Sequence, residues 1–258
     1  MDKLNLIYRV IVTGGAFSLF NLGGLVLSII VFPSINLFYC NQLKRQAAAK
    51  KVVHYTFKGF VAYMKLAGII RVQIENKAAL SQAQGKVIIA NHPSLIDVVV
   101  LISLIKNADC VVKSGLWRKP FIKGVVKSTG YINNDAEPEV FLKNCKTSLN
   151  NGNNLIIFPE GTRTEPGCEP VFKRGASNIA VRTQTDLLPL LIDVKPTTLT
   201  KGEKWYQVAK KRVVVRLKVL PDYSVKPYCD NPDIAAKSVR SLTRDLESYI
   251  RKEIKAYE

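Results

Sequence analysis

VIIANHPSLIDVVVLISLI, running from Val87 to Ile105, is the stretch whose reading decides the fold. Its first four residues, Val87-Ile88-Ile89-Ala90, are apolar without alternation, the pattern of a strand buried on both faces of a parallel sheet. Val98 to Ile105 continues apolar over a helical length. Between the two lies NHPSLID, Asn91 to Asp97, so a histidine sits where a strand ends and a helix begins. Open α/β sheets bind ligands at those carboxyl ends. Asp97 follows His92 by five residues, close enough after a tight turn to meet the imidazole. An aspartate on one ring nitrogen fixes the tautomer and leaves the other nitrogen as a base. Such a base can take a proton from a hydroxyl as that oxygen attacks a carbonyl. A structural reading stands beside this one. Ser94 and Asp97 have the S-x-x-D spacing of a capping box, in which Asp97 only satisfies backbone donors at the helix start and His92 is a loop residue.

Outward from this stretch, strand and helix signals alternate. Asp109 to Lys113 reads as a strand, Lys119 to Lys127 as a short helix and Gly130 to Ile132 as a short strand. Glu137 to Leu149 reads as a helix, with Asp135, Glu137 and Glu139 favourable at its N-terminus. Asn154 to Phe158 is a buried strand, Lys173 to Gln184 a helix, Leu187 to Val194 a strand, and Arg212 to Leu220 a strand with alternating pattern. This order predicts an α/β fold over 75–225, with a mainly parallel central sheet flanked by helices. The strand LIIF runs into FPEGTRT, Phe158 to Thr164, where Pro159 and Gly161 force a sharp turn. If the two motif-bearing strands are parallel neighbours, Glu160, Thr162 and Arg163 project towards the His92 loop. Arg163 then offers a planar fork suited to phosphate; otherwise the turn is a surface turn with an exposed arginine. The tail, 226–258, reads as a helical region with Ile234, Val239, Leu242, Leu246, Ile250 and Ile254 at helical spacing.

The N-terminal 50 residues differ in kind. Val10 to Phe32 carries no charge and is long enough to cross a bilayer core, which takes roughly 20 apolar residues. Two arrangements suit it: a single span, or a membrane-embedded helical hairpin broken near Gly23-Gly24. The hairpin agrees better with the basic residues on both flanks, Lys3 and Arg9 before and Lys44, Arg45, Lys50 and Lys51 after. Residues 51–74 read as an interfacial amphipathic helix with snorkelling lysines, and His54 within it as an interfacial or core residue. The chain of 258 residues has a net charge of +18, which calls for an anionic partner. No nucleic-acid fold motif accompanies that charge, and the uncharged run has no role in a nucleic-acid binder. The five cysteines are scattered, without metal spacing, and suit a reducing compartment.

Together the motifs resemble those of the glycerolipid acyltransferases, the 1-acylglycerol-3-phosphate acyltransferase family. NHPSLID matches N-H-x-x-x-x-D and FPEGTRT matches F-P-E-G-T-R. VVKSGLW, Val111 to Trp117, is similar to the family's strand carrying a substrate-facing lysine, here Lys113. VFKRGASNIA, Val171 to Ala180, and LLPLLID, Leu187 to Asp193, extend the likeness. One stretch departs from it. GYINND, Gly130 to Asp135, lacks the arginine that the family carries nearby for the acceptor's phosphate. Lys113, Lys123 and Lys127 could supply charge instead, or the acceptor is another lysolipid or an alcohol. The resemblance implies transfer of a fatty acyl group from acyl-CoA or acyl carrier protein to the free hydroxyl of a lysophospholipid. His92 would be the general base and Asp97 its orienting partner. Asn91, Lys113, Glu160, Gly161, Thr162 and Arg163 would form the substrate site, Lys113 and Arg163 against the headgroup phosphate. It implies no metal or other cofactor, membrane lipids and the acyl donor as partners, no nucleic acid, and a place at the cytoplasmic face of the inner or plasma membrane. An apolar groove beside the N-terminal segment would take the acyl chain. The other class left open is a non-enzymatic membrane-surface binding protein.

Overall fold

The computed structural model describes residues 3–229 and 235–257. In chain order the helices are α1 (Lys3–Val26), α2 (Phe32–Phe38), α3 (Gln42–Leu66), α4 (Lys77–Gln82), α5 (Asp97–Leu104), α6 (Ser114–Trp117), α7 (Pro120–Thr129), α8 (Pro138–Asn150), α9 (Gly175–Thr183) and α10 (Ala235–Tyr257). The strands are β1 (Ile70–Glu75), β2 (Val87–Ala90), β3 (Ala108–Val112), β4 (Ile132–Asn133), β5 (Asn154–Ile157), β6 (Leu187–Lys195) and β7 (Val213–Val219). They form one sheet in the order β1-β7-β6-β2-β5-β3-β4. Every pairing is parallel except β6 with β7.

Because successive side chains of a strand point to opposite faces, the sheet divides the apolar residues into two cores. Ile88, Ala90, Ile156, Leu188 and Leu190 face the layer that includes α3, α5 and α7. Val87, Ile89, Leu155, Leu187 and Leu191 face α8, α9 and α10. Burial on both faces explains why β2 and β5 read as unbroken apolar runs, whereas β7 alternates buried and half-buried residues. In α10, Val239, Leu242, Leu246 and Ile250 are buried on the second core and Ile254 packs at its edge. Ile234 lies outside the described residues.

Two N-terminal expectations are corrected. Residues 51–74 are not one interfacial helix. The helix begins at Gln42, with the Asn41 side chain accepting from Leu43 N–H and Lys44 N–H, and ends at Leu66. Gly68, with φ +67°, closes it: Gly68 N–H donates to Lys65 O and Ile69 N–H to Met64 O, the Schellman arrangement. The alternating IRVQIE that follows is the edge strand β1, so the sheet begins at Ile70 rather than after residue 75. One face of α3 is internal. Lys50 is buried against Asp109 at 2.7 Å, and the His54 ring bonds the Ile102 carbonyl at 2.7 Å, which makes His54 a core residue.

The second correction concerns the hairpin. Gly23 and Gly24 do not break the chain, which is helical without interruption from Lys3 to Phe38. A glycine costs a helix about 1 kcal/mol relative to alanine and does not stop it. The irregularity is a π turn, Leu27–Val31, immediately before Pro33. That proline lacks the N–H for an i→i−4 bond, and a wider turn accommodates the loss. The chain reverses at Tyr39–Asn41, and α3 runs back antiparallel to α1. Tyr8 Oη donates to Ala67 O at 3.1 Å, and Phe20 packs on Phe57 and Phe60. The other side of the first arm is open: Leu4, Ile11, Leu22, Ile29 and Leu37 are each at least 60% exposed. An apolar surface of that extent needs a covering that water does not supply.

Candidate active site

The site lies at the carboxyl ends of β2 and β5, which are hydrogen-bonded neighbours with Ile88 opposite Ile156. The loops that follow these strands are stitched together through the backbone. His92 N–H donates to Glu160 Oε1 at 3.0 Å, and Thr164 N–H donates to His92 O at 3.0 Å. Gly161 makes the second loop possible, since its φ of +69° is open to glycine at little cost.

His92 Nδ1 lies 2.9 Å from Asp97 Oδ2, and its ring stacks on Phe158 with centroids 4.1 Å apart. A carboxylate can only accept, so Nδ1 carries the proton and Nε2 keeps its lone pair. The capping geometry is present as well: Ser94 N–H donates to the same Oδ2 at 2.7 Å. The two readings of Asp97 therefore coexist on one oxygen. Asp97 is fully buried, and burial holds its carboxyl above the ordinary value against the pull of His92, Ser94 N–H and Arg163. Glu160 is also raised by burial, opposed by Thr164 and His92 N–H.

Glu160 provides a test of this electrostatic picture. A raised carboxyl holds its proton in the folded protein at pH values where the unfolded chain has released it. Its contribution to stability is therefore full below the ordinary pKa and is lost as pH rises through the folded one. Glu160→Gln removes that titration and leaves a constant deficit of about 1–3 kcal/mol for one unsatisfied donor. Denaturant unfolding of both proteins from acid to neutral pH should show the wild type losing ground to the variant as pH rises. A pH-independent difference would rule out burial as the source.

The other expected site residues divide into two groups. Asn91 is committed to structure: its Nδ2 donates to Ile192 O at 2.8 Å and its Oδ1 accepts Ile192 N–H at 2.7 Å. It continues the β2–β6 ladder one residue past the strand and so aims the next residue, His92. Glu160 is committed in the same way, its second oxygen accepting from the Thr164 hydroxyl. Arg163 is half-committed, with Nη1 donating to Leu199 O at 2.7 Å and Thr200 O at 2.8 Å. Thr162 and Lys113 are exposed, Lys113 at the carboxyl end of β3 beside β5. In GYINND the Asn133 side chain accepts Asp135 N–H, so this stretch turns on itself at the sheet edge. Among the described residues no group of three or more His, Cys, Asp or Glu is placed to hold a metal ion.

One part of the site has no signal in the sequence. The segment 198–200 clamps the His92 loop: Ser94 Oγ donates to Thr198 O at 2.7 Å, and Leu95 N–H to Leu199 O at 3.1 Å. Two cavities flank that loop. On one side is an apolar cavity of about 360 Å³, walled by Phe17 and Phe20 of α1, Phe57 of α3, and Leu95, Ile96 and Val99. On the other is a mixed pocket of about 300 Å³, which His92, Glu160 and Thr164 line with Asp193 and Lys195. Such a site can hold an apolar chain on one side of a base and a polar group on the other.

Residues 71–193 match the Acyltransferase family model. The chain is 34% identical over 147 residues to the 1-acyl-sn-glycerol-3-phosphate acyltransferase of Helicobacter pylori (strain J99 / ATCC 700824), covering 54% of this chain and 62% of that protein. It is 29% identical over 173 residues to a chloroplastic 1-acyl-sn-glycerol-3-phosphate acyltransferase of Arabidopsis thaliana, covering 65% of this chain and 46% of that protein. It thus spans less than two thirds of the length of these curated relatives. Its fold is similar to the crystal structure of the 1-acyl-sn-glycerophosphate (LPA) acyltransferase PlsC from Thermotoga maritima. The TM-score is 0.69 at 20% identity, over 99% of this chain and 98% of that one.

Proposed function

We propose that this chain, whose residues 71–193 match the Acyltransferase family model, is an acyltransferase that moves a fatty acyl group from a thioester to the free hydroxyl of a lysophospholipid, with 1-acylglycerol-3-phosphate as the acceptor. The observation that carries this reading is the His92–Asp97 pair at 2.9 Å, on a loop with an apolar cavity on one flank and a pocket holding charged side chains on the other. His92 Nε2 takes the proton of the acceptor hydroxyl as its oxygen bonds to the thioester carbonyl carbon. The tetrahedral species collapses with loss of the C–S bond, and the leaving thiolate takes the proton from His92. The acceptor is itself the nucleophile, so no protein serine or cysteine is acylated. Asp97 keeps the imidazole in the required tautomer through both proton transfers.

The acyl chain occupies the apolar cavity beside α1. Lys113 and the donors of Arg163 not used by Leu199 and Thr200 take the headgroup phosphate, with Thr162 at the edge of the same turn. The donor is acyl-CoA or acyl carrier protein, both acidic, as the net charge of +18 favours. The exposed apolar side of Lys3–Phe38 lies in the cytoplasmic face of the inner or plasma membrane, so the lipid substrate never fully leaves the bilayer. GYINND supports a second reading of the acceptor alone, because the stretch itself carries no cation for the phosphate.

The test is thiol release by purified, detergent-solubilised protein given long-chain acyl-CoA or acyl carrier protein with lysophosphatidate or other lysolipids. Release that requires lysophosphatidate is the expected result. Release with another lysolipid only would keep the chemistry and move the acceptor. Folded protein that releases thiol with none of them would overturn the proposal.

A further inference from the structure

We propose that the connection between β6 and β7, residues 196–212, is a second membrane-contact element that seats on an anionic lipid surface and steadies the His92 loop from there. The inference rests on the reading of the chain as an enzyme of membrane lipid, but its test involves no turnover.

The segment KGEKWYQVAKKR, Lys201 to Arg212, holds five cations and one carboxylate. That carboxylate, Glu203, is engaged internally, accepting Thr200 N–H at 2.8 Å. Lys210 and Lys211 are exposed and have no ion pair among the described residues. Lys204 lies over the Tyr206 ring, 5.7 Å from its centroid. Between these cations, Trp205 and Tyr206 are 43% and 47% exposed, although large aromatic side chains are usually covered. Their location accounts for the exposure. Trp205 is tilted against Phe17 of α1, with centroids 6.2 Å apart, and its ring comes within 3.1 Å of where a Gly14 side chain would begin. Trp205 thus lies beside the uncharged run of α1, with Tyr206 edge-on to it at 5.7 Å. Tryptophan and tyrosine rings favour the zone between lipid tails and water, and lysines beside them meet anionic headgroups. An acidic protein partner would suit the lysines, but it would not call for an exposed tryptophan laid against an apolar helix with an exposed tyrosine beside it.

Both ends of the segment are tied down. Arg212 donates to Lys65 O at 2.7 Å and to Ile70 O at 3.0 Å, at the end of α3. At the other end Thr198, Leu199 and Thr200 hold Ser94, Leu95 and Arg163. In between, Val208 and Ala209 wall the apolar cavity. Seating on the lipid surface therefore fixes the cavity wall and the backing of the His92 loop together.

The experiment uses the full chain with Trp117→Phe, which leaves Trp205 as the sole tryptophan. Trp117 has a buried indole N–H without a partner, so phenylalanine is well tolerated there. The protein is reconstituted into vesicles of phosphatidylglycerol and phosphatidylcholine that carry nitroxide labels, either at the headgroup end or deep in the acyl chains. Trp205 emission is expected to be quenched more by the shallow label than by the deep one. Most of that quenching should be lost in phosphatidylcholine vesicles, and in the triple variant Lys204→Gln, Lys210→Gln, Lys211→Gln. Emission that stays open to aqueous acrylamide and indifferent to either label would overturn the proposal. So would protection that appears only on adding acyl carrier protein, and so would label quenching that ignores lipid charge.

Discussion

His92→Ala is expected to lower the acyl-transfer rate by about 10²–10⁴-fold, the usual contribution of a positioned general base, while the protein remains folded. The fold should tolerate the loss because the ring makes few structural bonds. Its side chain is 15% exposed, it has one side-chain hydrogen bond among the described residues, to Asp97, and its ring stacks on Phe158. The bonds that hold the loop belong to the backbone of residue 92 with Glu160 and Thr164, and to Ser94 and Leu95 with Thr198 and Leu199, and these survive in alanine. Residual activity would come from holding acceptor and thioester together, which does not require the imidazole. The measurement is kcat with saturating lysolipid and donor, beside a thermal unfolding curve. Wild-type turnover in a folded variant would remove His92 from the chemistry.

Asp97→Asn is expected to have a comparable effect on rate, about 10²–10⁴-fold, for a different reason. Asparagine fills the same buried space and presents one acceptor oxygen. That oxygen can serve Ser94 N–H or the imidazole, and the amide nitrogen no longer compels Nδ1 to hold the proton. In Asp97→Ala both donors lose their partner, and stability should fall by about 1–3 kcal/mol for each one left buried and unsatisfied. The asparagine variant should be much closer to wild type in stability, because it removes a carboxyl whose charge is disfavoured by burial. The two variants thus separate the roles that meet on Oδ2. If asparagine preserved kcat and alanine lost only stability, Asp97 would be a helix cap and nothing more. The readouts are kcat and denaturant unfolding of both variants.

Those two roles were both present in the spacing of Ser94, Asp97 and His92, because capping and imidazole contact are short-range and each leaves its own pattern. The same holds for β2 and β5, whose unbroken apolar runs mark strands covered on both faces. What was hidden depended on partners far away in sequence. Asn91 has the composition of a substrate contact, and only the approach of Ile192 shows that its amide is already occupied. Arg163 looks like a free fork until Leu199 and Thr200 take one of its nitrogens. Lysines among apolar residues fit an interface as well as a half-buried helix, so the spacing points to 51–74 where the helix runs from 42 to 66. Asp109, which makes Lys50 a buried cation, lies 59 positions downstream. Gly23-Gly24 reads as a break because glycine is a sign of breaks, although a long apolar helix with tertiary contacts absorbs both glycines.

The division of the site by one short loop, with an apolar cavity on one flank and a pocket holding charged side chains on the other, also sets how the protein counts its substrates. A lipid that reaches the loop sideways from a bilayer is delivered by motion in two dimensions, whereas a water-borne thioester arrives in three. Turnover should then follow the mole fraction of acceptor in the surface, so that adding inert lipid slows the reaction even when the acceptor's concentration in the tube is unchanged.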